Sequence, residues 1–206
     1  MTASRLRFAL FILAGFALGG LVALSILPGA RERLFPALKS VTTGRALVGG
    51  PFSLTDHTGK HVTDQDFRGR FMLVFFGFTF CPDVCPTALQ VMAAAMDKLG
   101  PKAREIVPVL ITIDPERDTP EQMAMYVKSF SPRLVGLTGT PKEIDAVAKE
   151  YRVYYRRVPD PKSTAGYTMD HSAFVYVMGP DGEFRTHFAY TVNADAMAER
   201  LGKLLP

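Results

Sequence analysis

The chain contains two cysteines, Cys81 and Cys85, four positions apart in the loop Phe80-Cys81-Pro82-Asp83-Val84-Cys85-Pro86. Proline fits the first position of a helix, where its missing N–H is not needed, and it biases the preceding residue toward extended backbone. The spacing therefore predicts a helix that begins at Pro86 with Cys85 as its N-cap. Both sulfurs then lie at a helix N-terminus, whose unpaired N–H groups and positive dipole end favour thiolate over thiol. Two thiolates can hold a soft ion such as Cu(I), or they can close to a disulfide and exchange it with another.

The cysteine loop needs a support on either side. Before it, residues 71–78 are apolar apart from Gly77 and Thr-free until Thr79, which reads as a strand buried on both faces. After it, Leu89, Met92, Met96 and Leu99 recur at helical spacing until Gly100-Pro101 stops the helix. Residues 106–113 form a second buried-type strand, and Asp118 or Thr119 can cap a helix begun by Pro120 and running to about Phe130. A third strand is expected at 134–137. Thr140-Pro141-Lys142-Glu143 is then a capping box that opens a helix to about Glu150. Residues 52–56 and 61–64 flank a turn and read as a hairpin. Residues 153–155 suggest a short strand, and 159–169 a polar loop. A hairpin at 172–178 and 183–189 and an amphipathic helix at 194–205 complete the chain. Strands alternating with helices, then antiparallel strands and a last helix, predict an α/β domain with a parallel-cored sheet in the thioredoxin order.

A third ligand would turn two sulfurs into a specific metal site. His171, in Met169-Asp170-His171-Ser172, stands at the start of the last hairpin, and in a thioredoxin-like fold that point of the chain comes up beside the loop after the first core strand. Asp170 or a backbone carbonyl could fix its tautomer. Thiolate with imidazole suits copper, and suits zinc less well with three protein ligands in view. His57, His61 and His187 have no such placement and read as surface residues. Met92, Met96, Met123 and Met125 fall at packing positions and form no Met-rich cluster. Asp83 reads as solvated loop, with an oxygen ligand to Cu(II) as its minor alternative. Two other functions compete. A thiol–disulfide oxidoreductase needs the cysteines alone, although the pair has three intervening residues and no proline directly precedes the Ser172 strand. A peroxidase is disfavoured because the proline and threonine that such a loop places ahead of its cysteine are not at that spacing.

Several segments together carry a resemblance: FTFCPDVCP at 78–86, DPERDTP at 114–120, FSPRLVGLTGT at 130–140, YRVYY at 151–155, and DHS at 170–172 followed by GPDG at 179–182. In this order they resemble the Sco/SenC family over about residues 46–206. The resemblance implies a membrane-tethered thioredoxin-like domain that binds copper through Cys81, Cys85 and His171. It also implies a role as a copper chaperone in assembling the binuclear copper site of cytochrome c oxidase subunit II, with a further copper chaperone as a second candidate partner. Many members have histidine immediately before the first cysteine, where this chain has Phe80, a position outside the three expected ligands.

Residues 8–27 are a run of twenty without a charge, close to the ~20 that cross a bilayer as a helix and longer than the apolar region of most signal peptides. The expected layout is a cytoplasmic head at 1–7, an uncleaved transmembrane anchor at 8–27, a linker at 28–45 and the thioredoxin-like domain at 46–206. Arg5 and Arg7 precede the span, and Arg31 and Arg33, partly offset by Glu32, follow it, so charge leans weakly toward a cytoplasmic N-terminus. Seven residues are too few for a mitochondrial transit peptide, which points to a bacterial inner membrane with the domain in the periplasm, a compartment that permits disulfides. The formal net charge of +4 is spread along the chain. No aromatic-interleaved basic stripe suggests nucleic acid as a partner.

Overall fold

A strand without a polar face must be covered on both sides, because successive side chains point to opposite faces of the sheet. That strand is β3 (Phe71–Gly77), and the parallel strand β4 (Ile106–Thr112) matches it; every residue of both is buried. In the computed structural model, which describes residues 47–206 and ahead of them Ile12 and Gly15 alone, these two strands form the middle of the molecule. Phe71 stands opposite Ile106, and Gly77 opposite Thr112.

The other strands build outward from this pair. On one side β5 (Val135–Thr138) runs parallel to β4, and the hairpin of β1 (Ser53–Asp56) and β2 (His61–Thr63) joins β5 antiparallel through β1. On the other side lie β8 (Phe174–Met178) and β9 (Phe184–Ala189), both antiparallel to their neighbours. The sheet order is β2-β1-β5-β4-β3-β8-β9. Between the parallel strands run α1 (Val84–Leu99) and α2 (Pro120–Lys128), and α3 (Pro141–Glu150) follows β5. The last helix, α4 (Ala194–Gly202), packs on α1. This is the thioredoxin-like arrangement that the element order predicts.

The caps follow from side-chain chemistry. Thr119 accepts the Gln122 N–H at the start of α2, with Pro120 as first helical residue. At α3 the Thr140 hydroxyl accepts the Glu143 N–H while the Glu143 carboxylate accepts the Thr140 N–H, closing the expected capping box.

Four expectations change. Helix α1 begins at Val84 with Asp83 as N-cap, so Cys85 lies inside the first turn and Pro86 is its third residue. No N–H of a first turn has an intrahelical partner, so proline is tolerated there as well as at the first position. The polar loop expected at 159–169 contains ordered strand. β6 (Tyr155–Pro159) and β7 (Tyr167–His171) form an antiparallel ribbon outside the main sheet, and the strand expected at 153–155 starts two residues later. Arg156 and Asp170, paired across the ribbon, mask it in the sequence, because one of its faces is wet. Finally, Met125 is exposed rather than packed. It lies two residues, or about 200° of helical rotation, from Met123, whose face is buried with Val127. The expected head, anchor and linker lie outside the described residues, apart from Ile12 and Gly15. Among the described residues no helix is long and apolar enough to cross a membrane.

One glycine in the central strand ties the fold to the cysteine loop. A Cβ on Gly77 would stand 2.9 Å from the Cys85 sulfur and 2.9 Å from the Phe75 ring. Both neighbours are fully buried, so neither has room to yield. Gly77→Ala is expected to destabilise the protein by about 1–3 kcal/mol, read as a lower midpoint in chemical denaturation.

Candidate metal centre

The loop leaves β3 under control of one buried carboxylate. Asp118 is fully buried. Its oxygens accept the Thr79 N–H at 3.0 Å, the Thr79 hydroxyl at 2.6 Å and the Thr112 hydroxyl at 2.6 Å. Its backbone carbonyl accepts the Thr138 hydroxyl at 2.7 Å. Burial pushes the Asp118 carboxyl above its ordinary range, and the threonine donors pull against that shift. The ends of β3, β4 and β5 are thereby joined at the base of the cysteine loop. The sequence suggested Asp118 only as a helix cap, a role that Thr119 takes.

Cys85 lies beneath the loop and is fully buried, whereas Cys81 is half-buried. The Cys85 N–H donates to the Cys81 sulfur at 3.4 Å. His171, the last residue of β7, places its Nε2 3.7 Å from the Cys85 sulfur. Its Nδ1 lies 3.0 Å from the Ser172 carbonyl oxygen, which can only accept. The proton of the neutral ring therefore belongs on Nδ1, and the lone pair of Nε2 faces the sulfur. Of the two tautomer partners considered from sequence, the backbone carbonyl holds the ring, while Asp170 points outward toward Arg156. Phe75 and Phe78 complete the seating, with centroids 6.1 and 6.0 Å from the imidazole and edge-on rings.

The two thiols are electrostatically unequal. A hydrogen bond from the Cys85 thiol holds the Cys81 thiol down to about 4, against a smaller opposing effect of burial, and the backbone N–H groups of Cys85 and Asp83 assist. Cys85 moves the opposite way. It gives its proton to the Cys81 sulfur, is buried, and faces the negative charge it would have to join. The pair therefore favours a thiolate at Cys81 over one at Cys85.

The donor types fit a soft ion: a half-buried thiolate, a second sulfur beneath it, and an imidazole nitrogen with a free lone pair. Among the described residues no three His, Cys, Asp or Glu side chains already form a closed metal cage. Binding would therefore draw the two sulfurs and the ring inward. Asp83 is exposed at the start of α1, where it meets only the Thr87 hydroxyl at 3.4 Å. The other histidines have separate tasks. His57 is more than a surface residue, since its Nδ1 accepts the Gly136 N–H at 3.2 Å. His61 meets the Ser53 hydroxyl, and His187 packs against the rings of Phe174 and Phe184.

Residues 40–206 match the family model described as SCO1/SenC. The chain belongs to the SCO1/SenC family. It is 52% identical over 148 residues to human "Protein SCO1 homolog, mitochondrial", covering 70% of this chain and 48% of that one. The chain spans about half the length of the human and mouse relatives it matches. Two solved structures superpose well. Arabidopsis thaliana ScoI with copper bound is 43% identical, with a TM-score of 0.72, covering 76% of this chain and 96% of that one. Bradyrhizobium japonicum ScoI with copper bound is 44% identical, with a TM-score of 0.70, covering 76% and 98%.

Two features of this SCO1/SenC site were not visible in the sequence as site features. Asp114 and Arg117 pair beneath the loop, and Tyr167 reaches them from the ribbon; the acid-rich turn at 114–120 was the only signal, and it read as capping. The asymmetry of the thiols gives a direct test. Because the Cys81 pKa is depressed, its thiolate persists as pH falls, and half of it remains near pH 4. Iodoacetamide should alkylate Cys81 at a rate nearly constant from pH 8 to about pH 5 and falling as pH drops through about 4. Cys85, protonated and buried, should label far more slowly, as peptide mapping by mass spectrometry would show.

Proposed function

We propose that this protein is a copper metallochaperone that holds the ion through Cys81, Cys85 and His171 and serves the assembly of cytochrome c oxidase. The observation that carries the reading is the 3.7 Å approach of the His171 Nε2 lone pair to the Cys85 sulfur, with Nδ1 committed to a carbonyl. A dithiol exchanger needs the two sulfurs alone, whereas a soft-ion site gains from a third donor so placed. Membership of the SCO1/SenC family and the copper in two similar structures support the same conclusion.

Copper is cargo here, and the site is built for release. Cys81 is half-buried beside exposed Pro82 and Phe80, and an open pocket of about 290 Å³ adjoins those two residues. A partner thiolate can enter from that side and displace Cys81 first, while Cys85 and His171 keep hold of the ion. Ligand exchange of this kind lets copper move without passing through water as a free ion. Thiolate and imidazole accommodate Cu(I) and, with the oxygen of Asp83 nearby, Cu(II). The client in this proposal is the binuclear copper site of oxidase subunit II, and the donor is a further copper chaperone. The domain at 46–206 then stands on the periplasmic side of a bacterial inner membrane, tethered by a linker at 28–45 to an anchor at 8–27 and a cytoplasmic head at 1–7.

The unequal thiols favour a second activity on the same cysteines. Cys81 as thiolate can attack a partner disulfide to give a mixed disulfide. The Cys85 sulfur then resolves it, leaving the partner as two thiols and this protein with a Cys81–Cys85 disulfide. Three variants test the readings in the reduced full chain. Cys81→Ala and Cys85→Ala should each abolish tight Cu(I) binding in competition with a chromophoric chelator. His171→Ala should weaken it roughly 100-fold, the upper end of the 10–100-fold typical of losing a partner that only orients a ligand, and leave disulfide formation intact. Unchanged copper affinity in His171→Ala would leave the dithiol exchanger as the function.

A further inference from the structure

His171 is carried on a support that cannot hold itself in place. The β6–β7 ribbon has two strands only, and a pair of strands is marginal without something to pack against. Residues Tyr167, Met169 and His171 alternate with Thr168 and Asp170, so the first three share one face of β7. Met169 is buried and Asp170 exposed, which makes that face the inner one. Arg157 stands opposite Met169 in register and shares the inner face. The ribbon is thus fastened to the domain at Tyr167, four residues from the imidazole.

The fastening is a cluster of ring, cations and acids. Over the Tyr167 ring lie the guanidinium carbons of Arg117 at 3.9 Å and Arg157 at 4.1 Å from its centroid. The Tyr167 hydroxyl donates to the buried Asp114 carboxylate at 3.2 Å. Arg117 Nε donates to that same carboxylate, and its Nη1 reaches the Tyr167 carbonyl at 3.5 Å. Arg157 pairs in turn with Glu116. Arg117 also lies over Phe80, 5.0 Å from its centroid, and over Phe78 at 5.7 Å. One guanidinium therefore touches the ribbon that bears the imidazole and the loop that bears Cys81. Asp114, Glu116 and Arg117 come from the turn after β4, a segment with no contact of its own to the sulfurs.

We propose that Tyr167, clamped by Arg117, Arg157 and Asp114, is a positioning residue that sets how close His171 stands to the cysteine pair. This rests on the reading of His171 as a copper ligand. The physical argument is one of angle. The link to β8 begins at Ser172, next to the imidazole, and Tyr167 lies about 13 Å of strand farther out, so release at Tyr167 lets the ribbon pivot on that link and turn the His171 ring away from Cys85. A cation over an aromatic face is strong when desolvated, and two of them on one ring resist that pivot. The hydroxyl fixes its direction by ending on a buried carboxylate.

The test uses the full chain with Tyr167→Leu, which removes ring and hydroxyl, Tyr167→Phe, which keeps the ring, and Arg157→Gln, a half-exposed change that spares the fold. The metal-free readouts are the imidazole signals of His171 by NMR and the rate of Cys85 alkylation. Tyr167→Leu and Arg157→Gln should move the His171 signals and speed Cys85 labelling, while Tyr167→Phe does so less. In Cu(I) competition, Tyr167→Leu should bind about tenfold more weakly, the size of one lost cation–π contact. In the His171→Ala background the same change should add nothing. Additive losses would show that Tyr167 acts on the sulfurs or on the whole fold, and unchanged ring signals with unchanged labelling would also overturn the proposal. If the wild-type chain bound no copper, the ligand reading would fall, and the metal-free measurements would still judge the clamp.

Discussion

A carboxylate with no access to water has to be answered by donors, and Asp118 has three, all from the ends of core strands. Leaving such a group unpaired costs several times what a hydrogen bond contributes. The chain therefore has little freedom in where Thr79 stands, and hence in how the cysteine loop departs from β3. Because Thr138 binds the carbonyl of the same residue, β5 is tied to the same point. The loop can be exposed at Pro82 and still be anchored.

Above that anchor the site is a stack of small tolerances. Gly77 leaves room for the Cys85 sulfur, the sulfur sits below the imidazole, and the imidazole is seated edge-on against Phe75 and Phe78. The order of burial follows the chemistry. The half-exposed sulfur of Cys81 is the one whose thiol is held down, and the enclosed sulfur of Cys85 is the one pushed up. Inverting that order would put a charge in the apolar interior, next to the carboxylate of Asp118, and would leave the accessible thiol unreactive.

The surrounding elements divide the work. The buried strands β3 and β4 supply rigidity, α1 supplies N–H groups to the Cys81 sulfur, and a ribbon outside the main sheet supplies the imidazole. A carrier of the proposed kind needs this division, since a cage made wholly from core strands would bind an ion and not release it. Arg117 reaches both parts, lying over Phe80 of the loop and over Tyr167 of the ribbon.

Much of this was legible before any coordinates. The all-apolar strand, the cysteine pair at a helix start, the capping box at Thr140 and the alternation of strands with helices are local patterns, and local sterics and hydrogen bonding decide them. The motif order carried the family, and the position of His171 in the element order carried its approach to the sulfurs. What depended on tertiary structure was whatever arises between distant segments. The stretch at 159–169 reads as loop because its composition is polar, and only its pairing with the strand before it makes part of it strand. Asp118 looks like a cap until Thr79, thirty-nine residues away, turns it into an anchor. The inequality of the two thiols likewise has no signature in a pair of identical residues, because it comes from which sulfur the fold buries and which one receives the N–H and the proton of its neighbour.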